Sequence, residues 1–252
     1  MALLATACGG SSDGSAQPPE SVPRKSLEIV ATYPHDPGAF TQGLLVQGER
    51  VFESTGLRGR STLREVTLRT GEVRRSVDLP ASLFGEGLAL VDGELIQLTW
   101  TAGVARVYDA ESFDLVREHR YATQGWGLCY DGTRLVMSDG TTRLYFRDPK
   151  TFALLGQVEV RRGGEPLDDL NELECVDGRV LANVLGSDWI YEIDPASGEV
   201  TAAIDASGLL SEEERARTDV LNGIAHRPET GTFLLTGKLW PRLFEVRIGN
   251  SS

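Results

Sequence analysis

Five times along the chain a short phrase recurs: one variable residue, then Gly or Glu, then Leu or Ile at the head of an apolar run. The variable residues are Gln42, Glu86, Trp126, Asn171 and Asn222, spaced by 44, 40, 45 and 51 residues. A period of about 40–50 residues built from short strands is the mark of a β-propeller. Such a fold sets four-stranded antiparallel blades about a central axis and brings equivalent positions of the blades into one ring. The repeat therefore predicts a Gln, a Glu, a Trp and two Asn around one opening.

The second unit shows the pattern within a repeat. Gly87–Val91 reads as a strand, Asp92-Gly93 as a tight turn, Glu94–Trp100 as a second strand, Val104–Asp109 as a third and Leu115–Tyr121 as a fourth. Asp-Gly between apolar runs is a strong hairpin signal, and Asp131-Gly132 and Asp177-Gly178 repeat it. Thr70-Gly71, Asp148-Pro149 and Asp194–Gly198 punctuate strands three and four, using the preset φ of Pro and the free φ of Gly. The fifth unit offers strands at Ile224–His226, Thr232–Thr236 and Leu243–Ile248, then ends without a fourth. Leu27–Tyr33 is strand-like and belongs to no other unit, so it is expected to complete the last blade and remove an exposed edge. Ser211–Glu214 has the S-x-x-E form of a capping box, which predicts a short helix over about 212–217. The expected architecture is all-β: a five-bladed β-propeller as a single domain over 26–249, preceded by a signal-like remnant and tether over 1–25.

The bulk numbers exclude some functions. A net charge of −12 is the wrong sign for binding nucleic acid through its phosphates. No stretch reaches the ~18 apolar residues of a membrane-spanning helix. Met1–Cys8 is short, apolar and ends in small residues before a cysteine, like the tail of a bacterial lipoprotein signal. Cys8 is then the expected lipid attachment point, Gly9–Pro19 a flexible tether, and the protein exported, to the periplasm, the outer membrane or the medium. A plain disordered N-terminus is the competing reading. Cys129 and Cys175 sit in apolar runs and read as small, free core residues. No zinc-ligand spacing is present, and no metal or cofactor is expected.

Strand one of each unit begins on one face of the disc and strand two returns to it. The mouth is thus expected to hold Glu86, Lys238, three amides (Gln42, Asn171, Asn222) and the rings of Phe40, Phe84, Trp100 and Trp126. An apolar pocket with a few convergent polar groups is the usual form of a binding site. Amides at strand starts also commonly satisfy turn backbone, and for Asn222 the two readings carry equal weight. For Glu86 the functional reading leads, because a carboxylate among aromatic rings is costly unless used or paired.

At these residues the chain resembles the plant and bacterial glutaminyl cyclases, or glutamine cyclotransferases. The matching pieces are YPHDPGAFTQGL (Tyr33–Leu44), ESTG (Glu53–Gly56), FGEGLAL (Phe84–Leu90), QLTW (Gln97–Trp100), GWGL (Gly125–Leu128), LNELE (Leu170–Glu174), LNGIA (Leu221–Ala225) and TGKLWP (Thr236–Pro241), in that order over about Tyr33–Ile248. The resemblance implies a five-bladed propeller that converts N-terminal glutaminyl residues of peptides or proteins to pyroglutamyl and releases ammonia, without zinc. It implies Glu86 as proton shuttle, Asn171 and Lys238 as oxyanion donors, Gln42 as holder of the substrate backbone, and Phe40, Phe84, Trp100 and Trp126 as walls. One departure stands out: the family usually reads A-N-V-W where this chain has Ala182-Asn183-Val184-Leu185. Leu185 widens the expected pocket, and Trp189 is expected to stay out of it. The chain is expected to act as a monomer. The alternative function is a non-catalytic propeller that binds peptide N-termini or a protein partner at the same mouth.

Overall fold

The computed structural model describes Pro18 and residues 21–250. Met1–Cys8, with the expected lipid site, and nearly all of the Gly9–Pro19 tether lie outside the described residues. The chain enters on β1 (Arg24–Pro34). Four strands then follow in each of two sheets: β2 (Thr41–Gln47), β3 (Arg50–Thr55), β4 (Thr62–Thr67) and β5 (Val73–Asp78), then β6 (Gly85–Val91), β7 (Glu94–Thr99), β8 (Val104–Asp109) and β9 (Leu115–Arg120). The third sheet is β10 (Leu128–Tyr130), β11 (Leu135–Ser138), β12 (Arg143–Arg147) and β13 (Leu154–Glu159). A two-stranded ribbon of β14 (Arg161–Arg162) and β15 (Glu165–Pro166) comes next. Then come β16 (Leu170–Val176), β17 (Arg179–Val184), β18 (Trp189–Ile193) and β19 (Val200–Asp205). The helix α1 (Glu212–Arg215) precedes β20 (Leu221–Arg227), β21 (Thr232–Gly237) and β22 (Arg242–Asn250).

Each sheet of four is an antiparallel meander in chain order. The remaining strands form one eight-stranded sheet, β16-β17-β18-β19-β1-β22-β21-β20. As expected, β1 supplies the strand the last unit lacks, running antiparallel to β22 from Lys25↔Asn250 to Pro34↔Arg242. It also touches β19 in parallel at Arg24↔Ala203 and Lys25↔Ile204, and this short contact joins two meanders into one sheet. The first strands pack one on the next: β2 on β6, β6 on β10, β10 on β16, β16 on β20, and β20 back on β2.

Local chemistry explains the turns. Asp92 and Asp177 take positive φ before Gly93 and Gly178, the type I′ geometry of a two-residue hairpin. Asp131-Gly132 differs: Tyr130 pairs with Leu135, and Asp131 Oδ1 accepts from the backbone of Thr133 and Arg134 across a four-residue loop. In three units an aspartate closes the turn between strands three and four through its own carboxylate: Asp109, Asp148 and Asp194. The capping box at α1 is complete, with Ser211 and Glu214 bonding reciprocally. The helix stops at Arg215, two residues before the predicted end, because Ala216 already caps it.

The expectation of two free cysteines is overturned. Cys129 and Cys175 form a disulfide with Cα atoms 5.4 Å apart. One lies on β10 and the other on β16, adjacent first strands. Residues one repeat apart in sequence are thus neighbours in space, and the bond staples two units through their first strands.

Candidate active site

The first strands aim the repeated residues through a shared irregularity. The register of strand one against strand two slips between Thr41 and Gly43, Gly85 and Leu88, Leu170 and Leu173, and Leu221 and Ile224. Gln42, Glu86, Asn171 and Asn222 sit in these bulges, and a bulge re-aims a side chain where a ladder would hold it in alternation. In the third unit β10 begins after Trp126. The glycine that follows has a steric cause. A Cβ on Gly87 would stand 2.5 Å from Leu128 N, and one on Gly127 would stand 2.0 Å from Asn171 O. The inner strands pack that closely because the phrase lacks a side chain there.

Nine of the ten predicted residues line one cavity of about 230 Å³: Phe40, Gln42, Phe84, Glu86, Trp100, Trp126, Asn171, Leu185 and Lys238. The aromatic wall is continuous. Phe40 meets Phe84 edge-on at 6.1 Å, and Phe84 meets Trp100 at 5.7 Å. Trp189 belongs to the buried core cluster that also holds Val184 and Tyr191 and does not line the cavity, so it does not replace the ring absent at Leu185.

Glu86 is buried. Its Oε1 accepts from Gln42 Nε2 at 3.2 Å, and its Oε2 has no partner among the described residues. Burial raises its pKa well above 4.5, with the charge of Lys238 offsetting part of the effect. Lys238 is also buried, and burial lowers its pKa against the attraction of Glu86 and Asp219. Its Nζ lies 5.1 Å from the centre of the Phe40 ring. Lys238 and Glu86 line the same cavity and feel each other's charge, yet they form no ion pair. Asn171 Oδ1 is likewise buried without a partner among the described residues, while its backbone oxygen accepts from Ser138 Oγ at 2.6 Å. Unsatisfied buried polar atoms are rare in folded proteins, and here two of them belong to residues of one cavity.

Asn222 stands one step back. Its Nδ2 donates to Gln42 Oε1 and to Thr41 O, both at 3.0 Å. A relay thus runs Asn222→Gln42→Glu86, and it fixes which end of the Gln42 amide faces Glu86. The structure brings out two further contributors around it. Gln124 Oε1 accepts from both indoles, Trp100 Nε1 at 2.5 Å and Trp126 Nε1 at 3.0 Å, and so ties two walls together. Glu172 fills the glycine position of the fourth phrase. Its carboxylate accepts from Ile224 N at 2.9 Å and Leu44 N at 3.4 Å, clasping the strands that carry Asn222 and Gln42. Its departure from Gly was the one visible signal.

Beneath Phe40 lies a buried charge network. His35 bonds Trp240 O through Nδ1 at 2.6 Å and Glu53 through Nε2 at 3.0 Å. With acceptors facing both nitrogens, the ring is held as imidazolium; burial opposes its charge, but Glu53 outweighs this and raises the His35 pKa. Glu53 also takes bonds from Thr41 Oγ1 and Arg64. Burial would raise its pKa, yet His35 and Arg64 prevail and hold it at about 2. The network links the segments that carry Phe40, Gln42 and Lys238.

Comparison with known proteins agrees with this geometry. The family model for glutamine cyclotransferase matches residues 2–248. The chain belongs to the glutamine cyclotransferase family. It is 42% identical over 232 residues to the Arabidopsis thaliana glutaminyl-peptide cyclotransferase, covering 90% of this chain and 72% of that protein. It also superposes on the crystal structure of Myxococcus xanthus glutaminyl cyclase with a TM-score of 0.83 at 42% identity, covering 92% of this chain and all of the other. The all-β fold, with its four-stranded antiparallel sheets, is the glutaminyl cyclase fold.

Proposed function

We propose that this cyclotransferase closes N-terminal glutaminyl residues of peptides into pyroglutamyl residues, with release of ammonia and with Glu86 as the proton shuttle. The observation that carries the assignment is the free Oε2 of Glu86: a buried carboxylate oxygen in an aromatic cavity with no protein group to satisfy it.

The substrate's γ-amide occupies the space between Glu86 and Lys238. The neutral α-amine attacks the γ-carbonyl carbon, forming the ring N–C bond, and the carbonyl electrons move onto oxygen. The attacking nitrogen passes one proton to Glu86 Oε2. Lys238 and Asn171 stabilise the oxyanion, and each such donor is typically worth 10²–10³-fold. The oxyanion then collapses, the C–NH2 bond breaks, and Glu86 returns the proton to the leaving nitrogen, which departs as ammonia. A single group takes and gives the same proton, so a pKa raised by burial suits both steps. The aromatic walls hold the side chain curled toward its own amine, replacing a search in solution by proximity.

A pure peptide-binding role is disfavoured, since it would keep Glu86 desolvated without using it. The closed cycle of first strands supports five blades, with the eight-stranded sheet counted as two joined through β1. On this reading 26–249 form one propeller domain that acts as a monomer, an acyl-transfer enzyme with no metal step. The disulfide supports a life in an oxidising compartment, in keeping with export and a lipid on Cys8. The test is ammonia release from a Gln-initiated peptide together with a mass loss of one ammonia from the peptide. A folded protein that yields neither overturns the assignment.

A further inference from the structure

Three hollows are lined in part by residues that belong to the catalytic cavity's lining or adjoin it in sequence. One lies beside Lys238 and contains Pro37, Leu239 and Pro241; its charges are internally paired, Glu213 with Arg217 and Glu214 with Arg242. A second lies beside Leu185; there Asp188 pairs with Arg215, while Asp219 accepts from the Val220 backbone and faces the charge of Lys238. The third, about 190 Å³, shares Phe40 with the catalytic cavity and is lined by Asp36, Thr55, Gly56, Arg60 and Arg64. In it Arg64 is consumed by Glu53 and Asp36. Arg60 is exposed and forms no ion pair among the described residues.

Phe40 lines both this hollow and the catalytic cavity. Gly56, on the hollow's side, lies against the cavity's lining: a Cβ there would meet the Phe84 ring at 2.4 Å and Gln42 Cγ at 3.2 Å. The loop that carries Arg60 is also held in place. Arg60 N and Ser61 Oγ both bond Leu57 O at 2.9 Å, and Gly85 N, next to Glu86, donates to Ser61 Oγ at 3.1 Å. The backbone at Arg60 therefore keeps a set position relative to the proton shuttle, with the guanidinium free to reach into the hollow.

We propose that the hollow beyond Phe40 receives the residue that follows the N-terminal glutamine, and that Arg60 selects an acidic side chain, or the free carboxylate of a dipeptide, at that place. The inference rests on the cyclotransferase reading. The catalytic cavity surrounds one glutaminyl residue, so the rest of the peptide must leave across its rim. Of the three hollows, this one shares a lining residue with the cavity and offers a cation unpaired among the described residues, whose planar fork matches a carboxylate. The contact is made equally in ground and transition states, so it acts on KM.

The experiment compares kcat/KM for Gln-Glu, Gln-Ala and Gln-Lys dipeptide amides, and for Gln-Ala with a free carboxyl, at low ionic strength. An exposed ion pair is worth up to about fivefold, so Gln-Glu and free-acid Gln-Ala are expected to exceed Gln-Ala amide by about two- to fivefold through KM. Gln-Lys is expected to fall below it. The preference shrinks at high salt. Arg60→Ala collapses the Glu/Lys ratio toward one, Arg60→Lys keeps its sign, and Arg60→Glu reverses it. A wild-type ratio near one, or a ratio unchanged in Arg60→Ala, overturns the subsite while ammonia release from Gln-Ala amide leaves the cyclotransferase reading intact. No release from any of the peptides overturns that reading instead.

Discussion

Glu86→Gln is the most direct perturbation of the proposed mechanism, because it changes one atom's role and little else. The Oε1 of Glu86 accepts from Gln42 at 3.2 Å, and the carbonyl oxygen of the new amide can accept the same bond. The amide nitrogen then takes the place of Oε2, the atom with no protein partner. It can neither take a proton from the substrate amine nor return one to the leaving group. The loss falls on kcat and should reach about 10²–10⁴-fold, the usual range for general acid–base catalysis, or about 3–5 kcal/mol of barrier. KM should move much less, since the walls and the oxyanion donors remain. Stability gives an independent control with a definite sign. Burial raises the pKa of Glu86 above 4.5, so between the ordinary and the raised value the native state binds more protons than the unfolded chain. The stability this contributes is full below the ordinary pKa and is lost as pH rises through the raised one. The neutral amide does not ionise, so the Tm of the variant at pH 8 should equal or exceed that of the wild type. The assay is initial-rate ammonia release from a Gln-initiated dipeptide amide over pH 5–9, beside a thermal melt. The acid limb of kcat/KM set by Glu86 should disappear in the variant. A well-folded Glu86→Gln protein whose kcat stays within tenfold of wild type would refute the proton-shuttle role.

Leu185→Trp restores a ring to a cavity of about 230 Å³ and should lower KM for Gln peptides severalfold while kcat changes little; a rise in KM would show that the wider pocket is matched to its substrate. Glu53→Gln leaves Arg64 and the His35 imidazolium without their shared counter-charge and should cost about 3–5 kcal/mol at neutral pH, read by urea unfolding. In the wild type the Glu53 pKa is depressed to about 2, so its stabilisation is present above 4.5 and is lost as pH falls toward 2; an acid unfolding curve indifferent to the substitution would contradict the network. Reduction of Cys129–Cys175 opens a loop of 46 residues and should lower stability by up to about 4 kcal/mol on the chain-entropy estimate, measured by unfolding with and without reductant.

Much of this was legible in the residues. The strand and turn pattern of each unit is local: apolar alternation, Asp-Gly hairpins and aspartate-closed turns all lie within a few residues of one another. The missing fourth strand and the spare Leu27–Tyr33 segment pointed to each other because each unit needs its full complement of edges. The cavity was legible too, since a repeat places its equivalent residues together. The disulfide was not, because free and bonded cysteines in apolar runs look alike until two strands are placed side by side. Nor were Gln124, His35 and Glu172, each of which bonds a residue of another unit; the Glu in a glycine position marked Glu172 as unusual without saying what it holds.

The sequence by itself therefore determined the repeat, the strands, the closure by the N-terminal segment and nine residues of the cavity lining, since these follow from short-range pattern and period. Tertiary structure alone decided how those residues divide their work. Whether Asn222 faces the substrate or backs Gln42 depends on a bond across 180 residues. Whether Glu86 is paired or free depends on where a bulge points it and on the gap left before Lys238. Both are matters of a few ångströms between distant segments, to which chain periodicity is blind.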